Sequence, residues 1–273
     1  QERKGMKKSQ VIIFCISSIF LLALASNAAA YNADYTHTDY MASTAPTING
    51  QYIANEEWAP SKSETFGVNG IWRDEWVFGE SVFENILIET ADNTDDAGDY
   101  WQICFDGSAN GGTAPQEDDF RVDIVGHGDS ATVTWYKGTG TGWTAIASPP
   151  AAVFTYAQSF SVSPLISTQH YILEMSIDKQ STALGGSQIL GQQFAMRIAY
   201  YDAHEGGNGL QEWPPAPATR DNPSGWGYII YEMAVNPNPD VPENLGIIAV
   251  VGLSSVAVVA GATLLRKKSI VKI

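Results

Sequence analysis

The stretch "YILEMSID", residues 171–178, decides how this chain is read, because Tyr171, Leu173, Met175 and Ile177 fall on every second position. Side chains of a β-strand alternate between two faces, so this spacing predicts a strand with one buried face. "QFAMRIAY" (193–200) repeats the pattern with Phe194, Met196, Ile198 and Tyr200. "DFRVDIVG" (119–126) sets Phe120, Val122 and Ile124 against Arg121 and Asp123, and "SATVTWYK" (130–137) alternates Ala131, Val133 and Trp135. With "NILIETA", "DYWQICF", "AVFTYAQSFSV" and "GYIIYEMAV" there are at least eight such runs, separated by Gly, Pro, Asn and Asp clusters. Only "KQSTALGG" suggests a helical turn. Short strands in series predict an all-β fold, an antiparallel jelly-roll-like β-sandwich.

The two ends of the 273-residue chain read differently. Lys7 and Lys8, the apolar run Val11–Leu24 and the small residues up to Ala30 have the order of a secretory signal peptide. Leu245–Leu265 is uncharged and long enough to cross a bilayer, and Arg266, Lys267 and Lys268 follow it. Basic residues favour the cytoplasmic side. The expected organisation is a signal peptide over 1–30, a linker over 31–44, a sandwich domain over 45–235, a Pro-rich stalk over 236–244, a transmembrane helix over 245–265 and a cytoplasmic tail over 266–273. The expected location is the cell membrane, single-pass, with the domain outside.

The formal charge is −15, and most of the basic residues lie in the two end segments, so the expected exported part is more acidic still. Such a surface repels nucleic acid and anionic lipid and attracts cations, as it would in a saline habitat. Cys15 falls in the expected signal peptide, which leaves Cys104 without a disulfide partner in the chain; its apolar strand context makes it a small core residue.

"APTINGQYIANEEWAPS" holds Pro46, Ile48, Asn49, Gly50, Glu57 and Trp58 in the order that opens family 9 carbohydrate-binding modules. "YWQICFDGSANGGTAPQEDDFRVDIVG" resembles that family's central hairpin, and "YILEMSID", "FAMRIAYYDAHEGGNGLQEWPP" and "SGWGYIIYEMAV" resemble its closing strands. The chain is thus similar to these modules and to the wider DOMON-like sandwiches over nearly the whole segment between its ends. The tail "VPEN", with the apolar run and "RKK", resembles sorting tails of archaeal surface proteins. The resemblance implies a sandwich that holds a sugar between aromatic side chains, and an extracellular or cell-surface carbohydrate as partner.

Eight tryptophans supply flat faces for stacking pyranose C–H groups. Trp58, Trp101 and Trp226 read as structural, and Trp135 as readily core as not. Trp72, Trp76, Trp143 and Trp213, in loop-like context, are the expected ligand contacts. In "FDGSANGGTAPQEDD" (105–119), Asp106, Ser108, Asn110, Gly111 and Glu117 have the spacing of an EF-hand-type loop, which makes Asp106, Ser108, Asn110 and Glu117 candidate ligands of a structural calcium ion on a β scaffold. The second acidic run, with Asp92, Asp95, Asp96 and Asp99, reads more simply as a solvated connection.

Enzyme signatures are lacking: there is no G-x-S-x-G, H-E-x-x-H or P-loop, and His37, His127, His170 and His204 are dispersed. The expectation is a non-catalytic surface domain that binds carbohydrate, with calcium bracing its loops. One alternative is a structural cell-coat protein. Another, drawn from the DOMON-like likeness, is a b-type haem site using Met175, Met196, Met233 or His170; no haem is expected, since the methionines sit in apolar alternation.

Overall fold

The structure is a computed structural model that describes residues 31–53, 57–58, 61–185, 188–191 and 193–233. The expected signal peptide, stalk, membrane span and tail lie outside these residues. Among the described residues no helix is long and apolar enough to cross a membrane.

The described chain is all-β. Its strands are β1 Asn32–Ala42, β2 Lys62–Phe66, β3 Gly70–Phe78, β4 Val82–Glu89, β5 Tyr100–Asp106, β6 Asp119–Val125 and β7 Thr132–Gly138. They continue with β8 Trp143–Ile146, β9 Phe154–Ser161, β10 His170–Asp178, β11 Gln193–Asp202, β12 Gly209–Trp213 and β13 Gly227–Glu232. All belong to one 13-stranded sheet with the order β8-β7-β6-β5-β11-β13-β1-β3-β4-β10-β9, while β12 pairs with β11 and β2 with β3.

The sheet curls until its two ends face each other across one core, which makes the sandwich. Trp135 of β7 meets Phe154 at the start of β9 with ring centroids 4.9 Å apart. Trp101 of β5 donates its Nε1–H to Gln158 Oε1 of β9 at 3.0 Å. The inward residues expected on β6, β10 and β11 are in this core, among them Phe120, Val122, Leu173, Met175, Phe194 and Met196.

Three features differ from the sequence reading. Residues 31–44, expected as a linker, contain β1, which is central and runs parallel to both neighbours, β13 and β3. Its inward positions hold His37 and Asp39, so it lacks the apolar alternation by which the other strands were recognised. "FGVNGIWRDEWVFGESVF", with no counterpart among the family-like motifs, forms the last residue of β2, all of β3 and the start of β4. "KQSTALGG" forms tight turns, one closed by Gly185 N–H on Thr182 O at 3.0 Å.

The family-like opening is pinned to the outside of β10. Glu174 Oε2 accepts the backbone N–H groups of Asn49 and Gly50, each at 2.8 Å, and Oε1 accepts Trp58 Nε1–H at 3.1 Å. Tyr52, Trp58, Leu87 and Ile172 form a separate apolar cluster there. Gly50 has φ 75°, and a Cβ on it would lie 2.6 Å from the Gln158 backbone, so this turn requires glycine.

Candidate functional site

At one rim of the sandwich β3 and β13 end, β4 and β11 begin, and the chain leaves β10. The rim encloses an open-sided cleft of about 450 Å³. Trp76 and Phe78 of β3, Tyr231 of β13 and Met233 just beyond it supply its apolar wall; Lys179, Gln180, Gln188 and Gln193 supply polar groups. Phe78 is 72% and Met233 75% exposed, a concentration of apolar surface at the cleft mouth.

Trp76 forms the back of the cleft, its Nε1–H on Glu232 O at 3.3 Å and its ring edge-on to Tyr231, 5.8 Å between centroids. Tyr231 donates its hydroxyl to Glu84 Oε2, and Lys179 holds its ammonium 3.1 Å from the centre of the Tyr231 ring. The Lys179 backbone is fixed as well: its N–H meets Val82 O at 3.0 Å, and its carbonyl accepts the N–H groups of Ile189 and Leu190. Burial lowers the Lys179 pKa to about 8 against the opposing pull of Glu84, Asp39 and Asp74. Burial, with Glu84 and Asp39 nearby, raises the Tyr231 phenol well above its ordinary value, so it remains a neutral donor.

The four expected sugar-contacting tryptophans separate. Trp72 and Trp213 lie on β3 and β12 rather than in loops, are almost wholly buried, and pack on each other at 4.7 Å. Burial keeps both from reaching a ligand. Trp76 reaches the cleft. Trp143, at the start of β8, lines a second, more polar depression of about 480 Å³ with Tyr136, Arg121, Arg220 and Asp221. Its indole is already engaged: Nε1–H bonds Asp221 at 3.0 Å, Trp226 lies parallel at 6.3 Å, and the Arg121 guanidinium stands 5.2 Å from the ring centre.

The "FDGSANGGTAPQEDD" segment joins β5 to β6. Its converging carboxylates are those of Asp106, Asp118 and Asp119, within 4.8 Å of one another, while Glu117 is exposed and outside the group. The reason is local: Asp119 opens β6 directly opposite Asp106, the last residue of β5, so these two side chains share a face, and Glu117 is left on the rim. Asp106 accepts the N–H groups of Ser108, Asn110 and Gly111, and Ser108 and Asn110 direct their side chains at Asp118 Oδ2. Asp119 Oδ1 is buried without a partner, and burial beside Asp106 raises the Asp119 carboxyl to about 8. A cation fits this loop with Asp118 and Asp119 in the place of Glu117.

The second acidic run is held by protein donors. Asp92 accepts bonds from Thr94 and the Tyr200 hydroxyl, and Asp99 from His127, Ala203 and Asp96. Of the alternative haem residues, Met175 and Met196 are in the core, His170 is bonded between Thr168 O and Glu89, and Met233 is exposed.

Sequence reasoning missed Phe78, Lys179, Gln193 and Tyr231, which only the convergence of strand ends brings together. It also missed Asp39, Asp74 and Glu84, whose signal was available: an acid at an inward position of a strand.

No protein-family model matches the chain, and no curated protein sequence matches it. Among solved structures the chain is similar to a family 9 carbohydrate-binding module from Caldicellulosiruptor kristjanssonii in complex with cellotriose. The two share 15% identity at a TM-score of 0.46, over 76% of this chain and 98% of the other. A second family 9 module structure from that organism, in complex with glucose, gives 14% identity and a TM-score of 0.45 over 72% and 96% of the two chains. A candidate carbohydrate-binding protein from Bacteroides uniformis gives 11% and 0.45, over 72% and 99%.

Proposed function

We infer that this protein is a non-catalytic, cell-surface carbohydrate-binding domain whose sugar site is the Trp76–Phe78–Tyr231 cleft. The observation that carries the reading is the composition of that cleft: three aromatic rings with amide side chains and one ammonium at its edge, in a volume suited to one or two sugar rings. Aromatic faces take the C–H side of a pyranose. Gln180, Gln188, Gln193 and Lys179 offer donors and acceptors for its hydroxyls. Trp143 lies outside this cleft, in the separate depression with Tyr136 and Arg220, and its indole N–H is held by Asp221. The motif order of the opening and closing strands supports the same reading, and the apolar stretch Leu245–Leu265 supports membrane anchoring. Calcium at Asp106, Asp118 and Asp119, with Ser108 and Asn110 beside them, is the bracing role proposed for the β5–β6 loop.

The test is binding of the full chain to a panel of soluble oligosaccharides, followed by tryptophan fluorescence. Phe78 is exposed, so Phe78→Ala removes stacking area without opening the core. About 0.5–1.5 kcal/mol of aromatic contact corresponds to roughly a two- to thirteenfold loss of affinity. Trp143→Ala is expected to bind as the parent does. Binding to no oligosaccharide, or equal affinity with and without the Phe78 ring, would remove the reading.

A further inference from the structure

Behind the cleft wall, inside the sandwich, three carboxylates meet where the strand pattern calls for apolar side chains. Asp39 comes from β1, Asp74 from β3 and Glu84 from β4; all three are fully buried. Their oxygens lie within 4.8 Å of one another. Asp74 falls between Trp72 and Trp76 on the inward face of its strand, and Glu84 precedes Ile86 and Ile88 on the inward face of its own.

Protein donors satisfy only part of this group. His37 donates Nε2–H to Asp74 Oδ1 at 2.7 Å, and the Tyr231 hydroxyl donates to Glu84 Oε2. Among the described residues Asp74 Oδ2, Glu84 Oε1 and both oxygens of Asp39 meet no donor group, and the Asp39 carboxyl lies within hydrogen-bonding reach of the Glu84 carboxyl. Asp39 is the decisive member. A buried carboxylate with neither oxygen bonded is strongly unfavourable unless something of opposite charge meets it. Three carboxylates here face two cationic side chains, His37 and Lys179, and Lys179 lies over the Tyr231 ring.

We propose that Asp39, Asp74 and Glu84 bind a hard divalent cation, of the Ca²⁺ or Mn²⁺ class, that ties β1, β3 and β4 together beneath the cleft. The donors are carboxylate oxygens only, the set that hard cations select. Oxygens on opposite sides of a Ca²⁺ ion stand about 4.8 Å apart, twice a contact of about 2.4 Å, and no two of these three oxygens are further apart than that, so one ion can reach all three. Tyr231 links the site to the cleft through Glu84, so the cation also fixes the cleft wall. The site is separate from the β5–β6 loop and shares no residue with it.

The experiment strips the full chain with a chelator, re-equilibrates it with Mn²⁺ or Ca²⁺ alone, without sugar, and counts the metal retained. Wild type and the loop variant Asp118→Asn are expected to hold about one equivalent that Asp39→Asn and Glu84→Gln lack. Trp72 and Trp76 flank Asp74, so Tb³⁺ in the site should show tryptophan-sensitised luminescence that Asp118→Asn keeps and Asp39→Asn loses. Should Asp39→Asn not fold, the Asp118→Asn protein decides: no chelator-removable equivalent there overturns the site. Equal metal content in Asp39→Asn and wild type overturns it too. So does an Asp39→Asn protein that melts above wild type both with and without Ca²⁺, the mark of a proton shared between Asp39 and Glu84.

Discussion

Glu174 fastens the opening motif to the sandwich, and removing its carboxylate tests why Asn49, Gly50 and Trp58 stand where they do. In Glu174→Ala three donors, the N–H groups of Asn49 and Gly50 and the indole N–H of Trp58, lose their acceptor at once. Each buried donor left unsatisfied costs about 1–3 kcal/mol. Water reaches the part-exposed Asn49 end, so a total of roughly 3–6 kcal/mol is expected. Glu174→Gln separates charge from shape. Its amide oxygen can keep the two backbone donors, but its NH₂ then faces the Trp58 N–H, at a cost of about 1.5–3 kcal/mol. In a Trp58→Phe background that opposing donor is gone, and the Gln substitution should cost about 1 kcal/mol less. Urea unfolding of the full chain, followed by far-UV circular dichroism so that loss of a tryptophan does not alter the signal, gives all four corners of the cycle. The reasoning is refuted if Glu174→Ala costs under about 1 kcal/mol, or if the Gln and Phe effects add to within about 0.3–0.5 kcal/mol.

Two further outcomes follow from the geometry. At the β5–β6 loop, the rise in melting temperature on adding Ca²⁺ should shrink in Asp118→Asn and stay at the wild-type size in Glu117→Ala, because Asp118 joins the carboxylate group and Glu117 does not; equal rises in wild type and both variants would exclude that loop as a cation site. Cys104 is fully buried, and burial pushes its thiol to about 12. At pH 8 it should resist alkylation in the native protein and react fully in denaturant, as read by peptide mass spectrometry; rapid native labelling would show that β5 opens.

The strands that could be read from sequence are those whose inward face is apolar. β6, β7, β10 and β11 announce themselves by alternation, and the all-β fold follows from them. β1 does not, because two of its inward positions are His37 and Asp39, and a rule that recognises strands by apolar period two passes over a strand whose buried face is charged. The Asn49–Gly50 turn and Trp58 were legible as a motif, but their common partner Glu174 lies far along the chain, and nothing in the local pattern names it. Glu117 fitted a ligand spacing borrowed from a helix-flanked loop. The pairing of Asp119 with Asp106 at the start of β6 shifts the converging acid by two residues, and spacing alone carries no record of where a strand begins.

The tryptophans of β3 show what alternation can and cannot decide. Trp72, Asp74 and Trp76 occupy successive inward positions of one strand, so period two assigns all three to the interior. What differs is the element opposite each. Trp72 faces Trp213 of β12 and the ring of His37, 4.5 Å away, and is closed over. Trp76 lies two pleat repeats further, beside the last residues of β13, where its indole meets the backbone of Glu232 and then open space. Asp74 sits at the boundary, past the aromatic stack and short of the cleft. A carboxylate there is shielded from water by Trp72 on one side and by Trp76, Tyr231 and Lys179 on the other. A charge is enclosed there without interrupting the apolar core, so a cation bound at Asp39, Asp74 and Glu84 would stiffen the cleft while leaving the packing around Trp72 unchanged.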